Sequence, residues 1–346
     1  MALNPMAIKQ WQQFKRLKRG YYSLLLLGCL LIVSCLAELF INSRAVVVHY
    51  EGQWFFPTYA DVIPGSQFGL DYEYETNYRD LKQQLAQQPG NWLLMPPIPY
   101  NAFETDIIDG LYPPYAPSLS EGHYLGTDST GRDIVARLFY GFRISIGFAL
   151  MLLVFEYVLG AALGSMMGFF GGKFDLFGQR LIEIWSNMPG LYVIIIISSI
   201  WVPNFWRLVL IMAAFSWVGM TWYMRTATYK EVAREYVLAA KAMGAGSGRI
   251  ILKHILPNTL AILVTFMPFS VASGIAALTS LDYLGFGLPA PTPSWGELLK
   301  QGTNHLEAPW IVISVTSALT LVLLMVTFIG EAIREAFDAK QFTVYR

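Results

Sequence analysis

Few residues of this chain are spaced for chemistry. Its four histidines, His49, His123, His254 and His305, stand far apart with no zinc spacing, and no nucleophile–base constellation is recognisable. A phosphate-cradling Gly-x-x-x-x-Gly-Lys-Ser/Thr run is missing, because Gly172-Lys173 is followed by Phe174 and Met167 occupies the first glycine position. The chain is therefore expected to bind no ATP, cofactor or metal, and no catalytic residue is assigned. What remains is ionic and steric chemistry. In Gly126-Thr127-Asp128-Ser129-Thr130-Gly131-Arg132-Asp133, Thr127 or Asp128 can cap a helix start, and Arg132 and Asp133 can pair locally. Gly160, Gly164 and Gly168 recur every fourth residue, the spacing that lets two helix backbones approach closely. Glu156 is the sole charge in Ile144–Gly172 and a candidate intramembrane polar site. A carboxylate at that depth should not face lipid. It is expected to point into a helix-packing interface, protonated or hydrogen-bonded to a Ser, Thr or Tyr.

The elements that must hold these residues follow from composition. Of 346 residues 55% are hydrophobic and 14% charged, against roughly 25% charged in soluble domains. Uncharged runs at Gly20–Ala37, Ile184–Trp206, Leu208–Met224, His254–Leu281 and Ala308–Gly330, with Ile144–Gly172, predict six membrane-spanning helices. If the arm carrying Lys9, Lys15, Arg16, Lys18 and Arg19 is cytoplasmic, the inner segments hold 16 basic and 7 acidic residues and the outer ones 8 and 15. Both termini are thus expected inside. Ile32-Val33-Ser34-Cys35 resembles a lipoprotein cleavage box, but removing the first run would spoil this alternation, so it is read as a retained anchor.

The expected organisation is an all-α integral membrane protein with a mixed outer insert. It comprises an arm over 1–20, a first span over 21–41, an outer segment over 42–141, a five-helix core over 142–330 and a tail over 331–346. Within the outer segment, alternation around Glu51-Gly52 predicts a hairpin and Asn77–Gln87 a short helix. The core carries a loop over 225–258. There Val232–Met243 has helical character, the glycines of Gly244–Gly248 break it, and Arg249–Leu256 resumes a short helix that Pro257 is expected to stop. The result is a rigid knob projecting from the membrane.

That knob carries a pattern. Leu238-Ala239-Ala240, Gly244 and Leu256-Pro257 resemble the EAA loop of binding-protein-dependent ABC importer permeases. Tyr236-Val237 and His254-Ile255-Leu256-Pro257-Asn258 fit the peptide-transport branch, although Leu238 stands where Glu is usual and His254 where Ile is usual. The stretch from Leu125 to Asp133, with Arg137 to Gly141 and Arg143-Ile144-Ser145, resembles the signature of the oligopeptide, dipeptide and nickel importer permeases. Leu281 to Gly287 and Pro291 to Glu297 are similar to the same family. The long 42–125 insert looks like that of microcin C-type peptide importer permeases.

The resemblance implies a multi-pass permease of the bacterial inner membrane, with 42–141 periplasmic, forming half of a path for short peptides. It implies three kinds of partner besides membrane lipid: a second homologous permease, ABC ATPase subunits or domains, and a periplasmic substrate-binding protein, with no nucleic acid. Tyr236, Ala239, Ala240, Gly244, His254, Leu256 and Pro257 would form the coupling loop to the ATPase, and Gly126, Thr127, Asp128, Gly131, Arg132 and Asp133 a periplasmic motif. The rival reading is an ion-coupled secondary transporter or channel, motivated by Glu156.

Overall fold

The computed structural model describes residues 5–108 and 110–337. The chain enters through α1 (Pro5–Arg16) and α2 (Lys18–Cys35), followed by the short α3 (Ala37–Phe40). A small mixed unit then interrupts the helical bundle. Strands β1 (Val47–Tyr50) and β2 (Gln53–Phe55) form the expected hairpin, with Glu51 and Gly52 both at positive φ, as a two-residue turn of right-twisting strands requires. Helix α4 (Tyr78–Leu85) starts where Asn77 accepts from the Arg79 amide, and its Tyr78, Leu81 and Leu85 pack on Val48 and Phe68. A third strand, β3 (Trp92–Leu94), pairs with the free edge of β1, giving the order β2-β1-β3. Its Pro-rich surroundings hid it from sequence reading.

The bundle consists of α5 (Ile134–Phe170), α6 (Gly172–Ser186), α7 (Gly190–Ile200), α8 (Phe205–Val232), α11 (Leu256–Leu284) and α13 (Pro309–Phe337), joined to α2. Between α8 and α11 lie α9 (Glu235–Ala242) and α10 (Ser247–Ile250), and between α11 and α13 lies α12 (Trp295–Asn304). Among the described residues five helices are long and apolar enough to cross a membrane, or six if α6 and α7, bent by 65° at their junction, count together.

The expected straight span Ile184–Trp206 is therefore corrected. Helix α6 already occupies 173–183, ahead of that run, and the chain breaks before Pro189, which lacks an amide hydrogen and disfavours helix at Met188. The span expected from Ile144 starts at Ile134, because Arg137 and Arg143 are paired with Glu297 and Glu38 rather than exposed to lipid. Pro257 does not stop a helix. It lies in the first turn of α11, entered through a π-turn over Ile251–Ile255, where its missing donor is tolerated. The stretch between the uncharged runs that end at Leu281 and begin at Ala308 contains α12. Residues 331–337 of the expected tail continue α13, and 338–346, like 1–4 of the arm, lie outside the described residues.

Helices α5 and α8 share the most extensive contact of the bundle among the described residues. A Cβ on Gly164 would lie 2.5 Å from the Thr221 carbonyl oxygen, and one on Gly168 2.7 Å from that of Arg225. Gly160 meets Met220 in the same way. Helix α11 packs between α5 and α13 through Leu153, Val271, Ile275, Val322 and Val326. Helix α1 folds onto the end of α13, burying Phe14 against Ala332 and Ala336.

Candidate functional site

Three parts of the bundle carry the sequence-predicted residues. The first is the knob. Val237 and Ala240 turn inward to pack with Ile250 and Ile255 and against Phe169 at the end of α5. Gly244, at φ 78°, closes α9: its amide donates to the Lys241 carbonyl, and the Ala245 amide donates to that of Ala240. This paired closure needs a left-handed residue, which glycine adopts without steric cost. Nothing lies within 4 Å of a Cβ built on Gly244, so that surface is open. Leu238, Ala239 and Met243 face outward, Met243 81% exposed.

Tyr236 joins the two halves of the knob. Its hydroxyl donates to Glu231 at 2.7 Å and accepts from Asn258 at 3.2 Å, while Asn258 donates to the His254 carbonyl at 2.7 Å. Burial, with the donation to Glu231, pushes the Tyr236 phenol upward. Leu256 and Pro257 lead from this junction into α11.

The second part is a buried ionic collar at the opposite end of α5. The expected local pair of Arg132 with Asp133 is not formed. Arg132 bonds Asp128 through Nε at 2.8 Å and Glu297 of α12 through Nη2 at 2.8 Å. Arg137, fully buried, meets the other oxygen of Glu297, donates to the Ala102 carbonyl at 3.0 Å and has Nε 3.4 Å from Asp128. That last contact is Coulombic, since Nε has no hydrogen-bond partner of its own.

The helix cap is Asp133, which accepts from the Ala136 amide at 2.8 Å, instead of Thr127 or Asp128. Thr127 accepts from the Tyr115 amide, and Asp128 folds the turn by accepting from Thr130 and the Arg132 amide. Gly131 docks its carbonyl on the Asp106 amide, and Gly126 lies under Trp310. These arrangements weld the insert, α5, α12 and α13 into one rigid end.

His123, Asp106 and Glu297 were missed as functional candidates. His123 sits 10 residues before Asp133 with no periodic signal, yet its ring bridges Asp133 at 2.9 Å and Asp106 at 3.2 Å. Burial would lower its pKa, but the two carboxylates outweigh that and hold it at about 9. Glu297 had a readable signal, because Ser294 three residues earlier caps α12 by accepting from its amide.

The third part is a cavity of about 440 Å³ between α5, α7, α8 and α11. Glu156 lines it, half-buried, and accepts from Ser270 of α11 at 3.2 Å. The stripe Gly160/Gly164/Gly168 belongs to the α8 contact. Glu156 is thus hydrogen-bonded to a serine at the wall of a cavity that both α8 and α11 line, one helical turn before Gly160.

The chain is thus a bundle of membrane-length apolar helices with a two-sided short-helix knob, a cross-linked opposite end and a cavity between four helices. Residues 160–342 match the family described as binding-protein-dependent transport system inner membrane component. The chain is 41% identical to the inner membrane ABC transporter permease protein YejE of Escherichia coli (strain K12), over 97% of this chain and 98% of that one. It is 37% identical to the peptidoglycan transport system permease protein YejE of Agrobacterium fabrum, over 98% and 94%. It is also 37% identical to the oligopeptide transport system permease protein OppC of Lactococcus lactis subsp. lactis, over 66% and 79%. The chain belongs to this family: it is an inner-membrane permease of a binding-protein-dependent ABC importer, a component that works with ATPase subunits and a substrate-binding protein and has no ATPase of its own. The ion-coupled reading is not favoured.

Proposed function

We propose that this chain forms one half of an import path for short peptides, microcin C-like peptides among them, paired with a second homologous six-span permease. Peptide is the chemistry shared by what the similar proteins are named for, since peptidoglycan carries peptide stems and oligopeptides are peptides outright. The charge bias supports a cytoplasmic knob and a periplasmic 42–141 segment. The binding protein then delivers substrate to the collar side, and the ATPases grip the knob.

The observation that carries the coupling role is the two-sidedness of α9. Val237 and Ala240 fix it to the ends of α5 and α8 and to the π-turn that leads into α11, while Leu238, Ala239 and Met243 point away from the chain around an unobstructed Gly244. A push on that face is carried into the spans as a rigid-body movement, and alternating access follows. Because Leu238 replaces the usual Glu, the contact is apolar rather than ionic. Cysteine placed at Met243 is expected to cross-link to the ATPase in membranes containing the whole transporter. Cross-linking only to lipid-facing or periplasmic proteins would overturn the assignment.

A further inference from the structure

We propose that Glu156 is a specificity-determining residue, a relay point in the cavity that receives the α-ammonium group of a peptide in transit. The inference rests on the peptide-permease reading above and deepens it. The lining combines one carboxylate with the hydroxyls of Ser216, Ser270 and Ser273, set among the apolar walls of Phe215, Phe266 and Phe269. A few convergent polar groups in a mainly apolar concavity of this volume is the usual make-up of a small-ligand site.

The charge balance identifies the ligand. No Lys, Arg or His lines the cavity, and among the described residues only Ser270 hydrogen-bonds Glu156, through Oε1. The second carboxylate oxygen is left for an incoming donor. Ser270 is itself 3.5 Å from the Tyr157 hydroxyl, which holds its oxygen in place. An anionic wall with no protein cation is complementary to a cation, and an ammonium with several donors suits one carboxylate oxygen plus neighbouring hydroxyls.

Depth supports transit rather than surface binding. Glu156 lies about 33 Å along α5 from Ile134 and about 21 Å from Phe170, and Ser270 about 21 Å from either end of α11, at 1.5 Å per residue. Both stand near the middle of their spans. Every unmodified peptide presents an ammonium at its first residue whatever its sequence, so one carboxylate can serve many substrates.

The test uses the complete transporter with its binding protein in proteoliposomes, comparing ATP-driven uptake of tri-alanine and N-acetyl-tri-alanine. The wild type is expected to favour the free amine. Glu156→Gln, nearly isosteric, is expected to raise the KM for tri-alanine about tenfold, the loss of one charge-assisted bond, and leave uptake of the acetylated peptide unchanged. Because the binding protein is the same in both, its own preference cancels in the comparison. Glu156→Asp is expected to restore part of the preference. Equal loss for both peptides, or no change for either, would overturn the proposal and return Glu156 to helix packing. A wild type that transports neither peptide would instead overturn the peptide reading on which it stands.

Discussion

Asp133 caps helix α5 with one carboxylate oxygen and holds the ring of His123 with the other, 2.9 Å from Nδ1. The start of a membrane helix and the fold of the insert therefore share one side chain. Asp106 approaches the opposite ring nitrogen, and Tyr100 stacks on the ring at 4.0 Å.

This arrangement predicts a pH dependence. The folded pKa of His123, about 9, lies above its ordinary 6.5. The stabilisation is complete below about pH 6.5, declines between 6.5 and 9 and is absent above 9. Its size is on the order of 2–3 kcal/mol. Asp106 is shifted the other way, held low by its bond to His123, so its contribution is present above the ordinary carboxylate range and fails as pH falls through its folded value. Thermal unfolding of the detergent-solubilised permease should show a midpoint falling from pH 6 to pH 9.5, and His123→Gln should flatten that slope. A parent protein with no slope would contradict the charged bridge.

Glu297 anchors both Arg132 and Arg137 from α12. Glu297→Ala leaves the fully buried Arg137 with only Asp128 and a carbonyl, and breaking such a buried pair costs about 3–5 kcal/mol. The expected result is a lower thermal midpoint and reduced folded yield by size-exclusion chromatography. An unchanged midpoint would show the collar to be dispensable.

The glycine seam gives a graded series. Gly164→Leu must force α5 from α8, since even a Cβ there would lie 2.5 Å from a backbone oxygen. Gly147, on the same helix, has nothing within 4 Å of that position. Gly147→Ala should keep wild-type stability and uptake, and Gly164→Leu should lose both. Equal tolerance of the two would remove the seam from the account.

Ala45 and Leu94 flank the sheet unit, where the Val46 amide donates to the Leu94 carbonyl, whereas Asp106 and Tyr115 belong to the collar. Replacing 46–94 by a short linker should leave the bundle assembled, at the cost of the Arg44–Glu75, Arg79–Glu104 and Arg79–Asp106 pairs. Binding-protein affinity is expected to fall. An undiminished affinity would make the sheet unit a passive addition.

The legibility of this chain in its sequence was uneven for physical reasons. Apolar runs reveal spans because lipid tolerates little else, and Glu51-Gly52 reveals a hairpin because its turn demands positive φ. Charge counting failed at Arg137 and Arg143, whose partners Glu297 and Glu38 are distant in sequence and make charged residues compatible with a helix near the membrane. Pro189 lies inside an unbroken apolar run, although it divides α6 from α7, while Pro257 predicts a stop, although a π-turn absorbs it. The collar was half visible: Asp128, Arg132 and Asp133 stood out as a motif, but who pairs with whom depends on α12 and on His123. The cavity was invisible, since it needs four helices to make it.

The central claim is that ATP hydrolysed on partner subunits drives peptide uptake through this chain by way of the knob. The direct measurement is tri-alanine uptake in proteoliposomes holding the complete transporter, wild type against Gly244→Val. A β-branched residue at φ 78° strains the closure of α9 by more than the roughly 1–2 kcal/mol of an ordinary left-handed residue, while open space around it spares the bundle. The account predicts ATP-dependent, vanadate-sensitive uptake in the wild type, and an assembled variant whose substrate-stimulated ATP hydrolysis and uptake are both lost. Uptake that survives vanadate and collapses with an ion gradient, or wild-type coupling in the Gly244→Val transporter, would contradict it.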